Sequence, residues 1–300
     1  MDSPLVSVVI ATFNMAQYLP EALRSVLCQT YSNLEVHLVD DGSTDGTQDA
    51  ISPYMSDPRI HYHRQNNRGQ ACAKNAGLRL ATGDYVAFLD ADDKWMPEKL
   101  ARQIPKFASS SKIGVVYSPA VFIDANGATI NLEYAPTRYR GKVTTQLLFE
   151  NFLCFPSAIV RRQCFQSVGM FDESLPMSID YDLWLRLSTQ YDFDYTDEPT
   201  LYYRVWPGQM SRNIIKRYGC VIRVMDRFLK SNSALVPSHV IRQAWAHTYL
   251  GRGDCWVYVE HQPSRAARDY ICALRYSPMY RSAWRAIGKL ILQGCHLRGR

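Results

Sequence analysis

The chain is poor in the signatures by which several protein classes are recognised. Its eight cysteines form no Cys-x-x-Cys pair, and the closest two, Cys154 and Cys164, stand ten residues apart. That spacing excludes the usual zinc-ligand pairing, and thiols kept reduced read as small core hydrophobes. Neither Gly-x-Gly-x-x-Gly nor Gly-x-x-x-x-Gly-Lys occurs, which disfavours dinucleotide oxidoreductases and P-loop kinases. No apolar run approaches the roughly 20 residues needed to span a bilayer, and Leu5 to Phe13 is far too short. Met1-Asp2-Ser3-Pro4 has no basic n-region, so a cytoplasmic chain is expected. His61 and His63 share a strand face without a third ligand and read as partly exposed strand residues. Internal repeats and low-complexity tracts are absent.

What is present belongs to an ordinary globular protein: 300 residues, 47% apolar and 21% charged. The charge is uneven. Residues 213–300 carry fifteen Lys and Arg against four Asp and Glu, a net of +11, which leaves −5 for residues 1–212 of a chain that totals +6. Such a change of sign marks a boundary in role, and two parts are expected, 1–212 and a basic helical extension over 213–300.

In the first part, apolar β-branched runs alternate with helical patterns. Strands are expected at Val6 to Ala11, Leu34 to Val39, Ile60 to His63 and Tyr85 to Leu89. Helices are expected from Leu19, with Pro20 tolerable in a first turn, and over Ala71 to Leu80. Such alternation means an α/β fold with a Rossmann-like, mostly parallel sheet flanked by helices. Ligands of such sheets bind beyond the carboxyl ends of the strands. Thr12, Asp40, Asp41 and Asp90 all fall there. Further on, Val121 to Ile130 carries Asn126-Gly127, a hairpin signal. Ser157 to Val160 and Leu201 to Val205 read as strands, with a helix near Asp182 to Ser188. After Asn213 the pattern is helical, divided into short helices by Pro237, Pro263 and Pro278.

Two acidic constellations carry chemistry. Phe88-Leu89-Asp90-Ala91-Asp92-Asp93 places three carboxylates in four residues at the end of a buried strand. Without a cation they repel one another severely. Hard divalent ions such as Mg²⁺ or Mn²⁺ take oxygen ligands and complete their shell with water and phosphate. Val39-Asp40-Asp41-Gly42-Ser43-Thr44-Asp45 presents a carboxylate able to accept from a base N–H or ribose hydroxyls, or equally to cap a helix.

These segments, with Ser7 to Asn14 before them and Lys74-Asn75-Ala76-Gly77-Leu78 between them, resemble in order and spacing the successive motifs of family 2 glycosyltransferases. The resemblance runs on through Gly169-Met170-Phe171-Asp172-Glu173 and Ile179 to Arg186, covering about residues 4–212. It implies the GT-A fold and an inverting transfer of sugar from a nucleotide-sugar donor to an acceptor hydroxyl, in surface polysaccharide or glycolipid synthesis. Thr12 and Asn14 resemble residues lying along the nucleotide. Asp41 resembles the carboxylate that reads the base, with Asp40 beside it; Arg68 or Lys74 would lie near the phosphates. Asp90 resembles the residue near the donor ribose, able to share the metal, Asp92 the metal ligand proper and Asp180 the catalytic base.

There are departures from that pattern. Ile179 stands where an acidic residue often precedes the base, and Trp206 where a His often follows the Tyr-Arg strand. The Gln-x-x-Arg-Trp motif of processive synthases is missing, which points to single addition. A sugar-nucleotide pyrophosphorylase would want a Gly-rich basic loop that Thr12 to Gln17 does not supply, and an inactive glycan-binding relative would not need Asp90, Asp92 and Asp180. The acceptor, a glycan or a lipid-linked sugar, is expected at Glu133 to Lys142 and the C-terminal region. The basic, Trp-bearing tail suits peripheral contact with an anionic membrane or a cap with solvated arginines. No nucleic-acid module accompanies its charge.

Overall fold

The computed structural model describes residues 3–131 and 136–298, with the backbone alone for 293–298. The segment expected to meet acceptor thus lies partly, at 133–135, outside the described residues. The chain divides into two compact units, Met1–Val143 with Phe152–Gln209, and Thr144–Asn151 with Met210–Arg300.

The first unit runs β1 (Val6–Thr12), α1 (Leu19–Leu27), β2 (Leu34–Asp40), α2 (Thr47–Ile51), β3 (Ile60–Arg64), α3 (Gln70–Leu80), β4 (Tyr85–Asp90), β5 (Lys94–Trp95) and α4 (Lys99–Gln103). After β6 (Ile113–Tyr117) and β7 (Ala120–Ile123), the chain contributes α5 (Thr144–Phe149) to the second unit. It then returns with β8 (Ile159–Arg161), α6 (Cys164–Val168), α7 (Ile179–Ser188), β9 (Asp192–Tyr195) and β10 (Leu201–Arg204). Seven strands form one sheet in the order β3-β2-β1-β4-β8-β6-β9, and β5-β10-β7 form a second. β3, β2, β1 and β4 are parallel; β8 is antiparallel to both its neighbours, and β9 runs parallel to β6. The expected mostly parallel sheet is therefore present, with one reversed strand.

Burial explains the centre. Val6, Val8, Val9 and Ile10 are fully buried, as are Val86, Ala87, Phe88 and Leu89. Each large side chain so buried contributes about 1.5–3 kcal/mol. Gly77 lets α3 lie close on the sheet: a Cβ there would stand 2.6 Å from Val9 Cγ1. The Asn126-Gly127 turn forms, with Gly127 at φ 86°, and closes a short antiparallel hairpin: the Ile123–Thr129 bridge is flanked by bonds from Asp124 N to the Ala128 carbonyl (2.8 Å) and from Ile130 N to the Phe122 carbonyl (2.9 Å). Asp124 closes the loop by accepting from Asn126 N (2.8 Å) and Ala128 N (2.9 Å), and β7 also pairs in parallel with β10.

The second unit comprises α5, α8 (Ile214–Asn232), α9 (Ser238–Tyr258), α10 (Pro263–Tyr276) and α11 (Arg281–Arg298). These last four are 14 to 21 residues long rather than short. Pro237 and Pro263 sit at helix starts, where a missing N–H costs nothing, so the prolines begin helices without shortening them. Ala246, Ala273 and Ala283 form a small-residue core. Beside it the rings of Trp245 and Tyr249 stack on Tyr276 at 5.5 and 5.8 Å. Arg252 bonds both oxygens of Asp269, at 2.8 and 2.6 Å. On α11, Trp284, Ile291 and Leu292 are exposed, with Arg285 and Lys289 among them. No described helix is long and apolar enough to cross a membrane.

Candidate active site

Register brings the acidic residues together. In the parallel ladder Thr12 lies opposite Asp40, and Ala11 opposite Asp90. The carboxyl ends of β1, β2 and β4 therefore finish on one edge of the sheet, where a ligand has access.

The β2 end is built from mutual hydrogen bonds. Asp40, with no exposed surface, accepts from Ser43 N at 2.8 Å and from the Tyr62 hydroxyl at 2.9 Å. Burial and that bond push Tyr62 up to about 12. Asp40 thus holds the turn and offers no oxygen outward. Asp41, 3% exposed, accepts from Gln65 Nε2 (2.7 Å), Arg68 N (2.9 Å) and Gly69 N (2.8 Å), which orders the loop entering α3. Asn14, at φ 53°, accepts from Thr44 N at 2.8 Å and donates its own N–H to Ser43 Oγ at 2.9 Å. The left-handed conformation is one that Asn tolerates better than most residues. Thr12 is buried with its hydroxyl lacking a partner.

The β4 end is strongly acidic. Lys74, almost wholly buried and lying over the Phe155 ring at 4.2 Å, pairs with Asp90 at 2.8 Å. Of the two basic candidates, Lys74 therefore joins the acidic end, while the Arg68 side chain is 66% exposed and reaches Glu173 at 3.8 Å. Burial, then the Asp90 charge, pushes the Asp92 carboxyl above its usual range, against the bond from Trp206. Burial, then Asp92 and Asp90, pushes Asp93 well up. One Asp93 oxygen, Oδ2, is buried without a donor.

A segment more than a hundred residues downstream clamps these carboxylates. Arg204 N donates to Asp93 Oδ1 at 2.7 Å, and Arg204 Nε to the Asp92 carbonyl at 2.7 Å. The same guanidinium, buried at 2% exposure, bonds the carbonyls of Asp124 and Ala125 at 3.2 Å and pairs with Glu21. Trp206 Nε1 donates to Asp92 Oδ2 at 2.8 Å. Sequence reasoning missed both roles. Arg204 lies outside any acidic or glycine-rich signature, and Trp206 stands out in the sequence only as replacing a His after the Tyr-Arg strand.

Asp180 occupies the first turn of α7, which starts after Ser178 at φ 58°. Burial, and then the carboxylates of Asp93, Asp90 and Asp180, push the Cys154 thiol well above its usual range. Asp180 is thus within electrostatic reach of the same thiol as the β4 carboxylates. Asn75 ties α3 to the segment before α7, donating to the Phe171 carbonyl (2.9 Å) and accepting from Phe171 N (3.0 Å). Asp182 is buried and paired with Arg186 at 2.8 Å, which in turn bonds the Met170 carbonyl at 2.8 Å. That carboxylate holds the 168–170 turn.

Among the described residues no group of three or more His, Cys, Asp or Glu has metal-holding geometry. Asp90 and Asp92 supply two carboxylates, and Mg²⁺-type sites commonly take one or two from protein with the rest from water and substrate phosphates. The donor set is oxygen only, and the orphaned Asp93 oxygen lies beside it, so these residues fit a hard divalent cation.

The sequence model of Glycosyl transferase family 2 matches residues 7–169. An uncharacterized glycosyltransferase of Methanocaldococcus jannaschii is 34% identical over 211 residues, 68% of this chain and 72% of that protein. The chondroitin synthase of Escherichia coli is 32% identical over 208 residues, 69% of this chain but 29% of its own length. Among solved structures, S. aureus TarS 1–349 in complex with UDP-GlcNAc superposes with TM-score 0.69 at 19% identity, covering 90% of this chain and 81% of that one. The mannosyltransferase PcManGT from Pyrobaculum calidifontis, in complex with GDP-Man and Mn²⁺, superposes with TM-score 0.66 at 20% identity, covering 99% and 81%. At those identities the structural likeness speaks for the fold.

Proposed function

The chain belongs to the family 2 glycosyltransferases and has the GT-A fold; from that premise we propose an inverting transfer of one sugar from a nucleotide-sugar donor to an acceptor hydroxyl, assisted by Mg²⁺ or Mn²⁺. The observation that carries this reading is the acidic end of β4, where Asp90, Asp92 and Asp93 converge and a buried Asp93 oxygen lacks a donor. Asp92, with Asp90, would hold the cation, which supplies charge neutralisation to the departing diphosphate. The Mn²⁺ bound with GDP-Man in PcManGT is in keeping with this.

The chain's own residues divide the remaining work. Thr12 and Asn14 line the nucleotide, and Asp41 meets the base through the loop it orders. Asp40, with both oxygens engaged internally, acts by holding that turn. Arg68, exposed near the end of the same loop, faces the diphosphate, while Lys74 balances Asp90 and sets its orientation. Asp180 takes the acceptor proton as the oxygen attacks the anomeric carbon opposite the leaving group. One base and no enzyme nucleophile suffice for a single displacement with inversion. Asp182, already committed to Arg186, is not available for that task.

Relatives such as the chondroitin synthase make surface polysaccharide or glycolipid assembly the favoured setting. The exposed Trp284, Ile291 and Leu292 among cations on α11 favour contact with an anionic membrane to meet a lipid-linked acceptor. The test is metal-dependent turnover across a panel of UDP- and GDP-sugars. Asp92→Ala is expected to abolish the Mn²⁺ dependence of nucleotide diphosphate binding in calorimetry. Unchanged affinity and metal dependence would remove Asp92 from the site.

A further inference from the structure

We infer that Trp206 is a positioning residue for the metal site: its indole N–H fixes Oδ2 of Asp92 and leaves Oδ1 to the cation. The inference rests on the functional reading above and specifies how one ligand is presented. The contact is the 2.8 Å bond from Trp206 Nε1 to Asp92 Oδ2. The ring making it is held on several sides. Tyr18 packs against the indole at 5.6 Å between centroids. Gly208 folds back so closely that a Cβ there would stand 2.1 Å from Trp206 Cζ3. The Trp206 carbonyl accepts from Gln209 N at 3.2 Å, and Val205 N donates to the Ile123 carbonyl at 2.8 Å. Asp92 is held equally from its main chain, whose carbonyl accepts from Arg204 Nε at 2.7 Å.

The chemistry of the donor matters as much as its place. An indole N–H donates one bond, accepts none and carries no charge or titratable proton in the working range. It can therefore fix a carboxylate oxygen without neutralising it, unlike Lys or Arg, and without competing for the cation. The expected consequence is one preset ligand oxygen and a carboxylate that need not be ordered when metal arrives. Partners that orient metal ligands in this way typically contribute about 10- to 100-fold in metal affinity.

Calorimetric titration of Mn²⁺ into the full chain, with UDP or GDP present, tests the inference without relying on turnover. Trp206→Phe keeps an aromatic ring at this position and removes the donor, with part of the indole's apolar surface. It is expected to weaken Mn²⁺ binding about tenfold or more, with the loss in rate recovered at saturating Mn²⁺. Trp206→Tyr, which keeps a ring and a neutral O–H donor, is expected to bind Mn²⁺ more tightly than Trp206→Phe, and it carries the test alone if the Phe variant does not fold. In that case affinity near wild type supports the inference and a tenfold loss overturns it. Wild-type Mn²⁺ affinity in Trp206→Phe overturns the inference alone. A wild-type chain that binds no Mn²⁺ with either nucleotide overturns the functional reading beneath it.

Discussion

Replacing Arg204 by Met should cost the first unit several kcal/mol of stability. The guanidinium has 2% of its surface exposed and bonds three main-chain carbonyls, those of Asp92, Asp124 and Ala125, while pairing with Glu21. It also lies 4.7 Å from the centre of the Tyr18 ring. Methionine fills much of the volume but donates nothing. Glu21 keeps Lys94 at 2.6 Å, so its share of the loss is about 1 kcal/mol. Three carbonyls stripped of a charged donor and shielded from water add about 1 kcal/mol each, and the lost cation–π contact about 1 kcal/mol. The new apolar burial returns part of this, leaving a destabilisation of about 3–5 kcal/mol. For a unit of about 200 residues, that lowers the unfolding midpoint by roughly 6–20 °C. Urea unfolding followed by circular dichroism would measure it, and Arg204→Lys should recover only a minor part, since one ammonium cannot reach all four acceptors. A loss below about 1 kcal/mol would refute the claim that the fork holds the 92–93 and 124–125 segments together.

Asp180→Asn should leave Mn²⁺-dependent donor binding near wild type and lower kcat by about 10² to 10⁴, the worth of a general base; an unaltered kcat puts the base elsewhere. Glu35, which accepts from Ser7 Oγ (2.6 Å), Thr82 N (2.8 Å) and Thr82 Oγ1 (2.9 Å), is held at about 2 by these bonds and by His37 against the upward push of burial. A carboxyl depressed in the folded state stabilises it above the ordinary value of 4.5 and loses that contribution as pH falls towards about 2. Glu35→Gln should therefore be the less stable at pH 7, by about 1–3 kcal/mol allowing for solvent at the network's edge, and the gap should close on acidification; a pH-independent gap in urea midpoints contradicts this. The full chain should co-sediment with anionic but not neutral vesicles, and salt should release it; indifference to anionic vesicles at low salt would make the basic helices a structural cap only.

Local patterns show best where burial is continuous. β1, β2 and β4 are runs of buried residues whose side chains all face protein, so their apolar character stands out in the sequence. β9, Asp-Phe-Asp-Tyr, buries only Phe193 fully and exists because β6 lies beside it. β5 is two residues held by β10. Such strands are products of tertiary pairing, which no local window contains. The site divides along the same line. The strand-end residues Thr12, Asp40 and Asp90 could be placed on one edge because neighbouring parallel strands end together. The clamp could not, because Arg204 and Asp93 are 111 positions apart and nothing in the intervening sequence announces their meeting. Asp40 and Asp182 show the opposite limit: their pattern marks them as acidic, but only their partners show that they hold turns.

That separation also has a temporal side. A ribosome adds about 5–20 residues per second, so the 111 positions between Asp93 and Arg204 correspond to roughly 6–22 s of synthesis. Through that interval β1, β2 and β4 can already have left the exit tunnel with their acidic turn unclamped. A nascent chain stalled before Leu201 would have every carboxylate of the site and neither of the donors that hold Asp92. The hydrogen bonds that hold Asp92 therefore form late in translation, after the sheet that carries this residue can have formed.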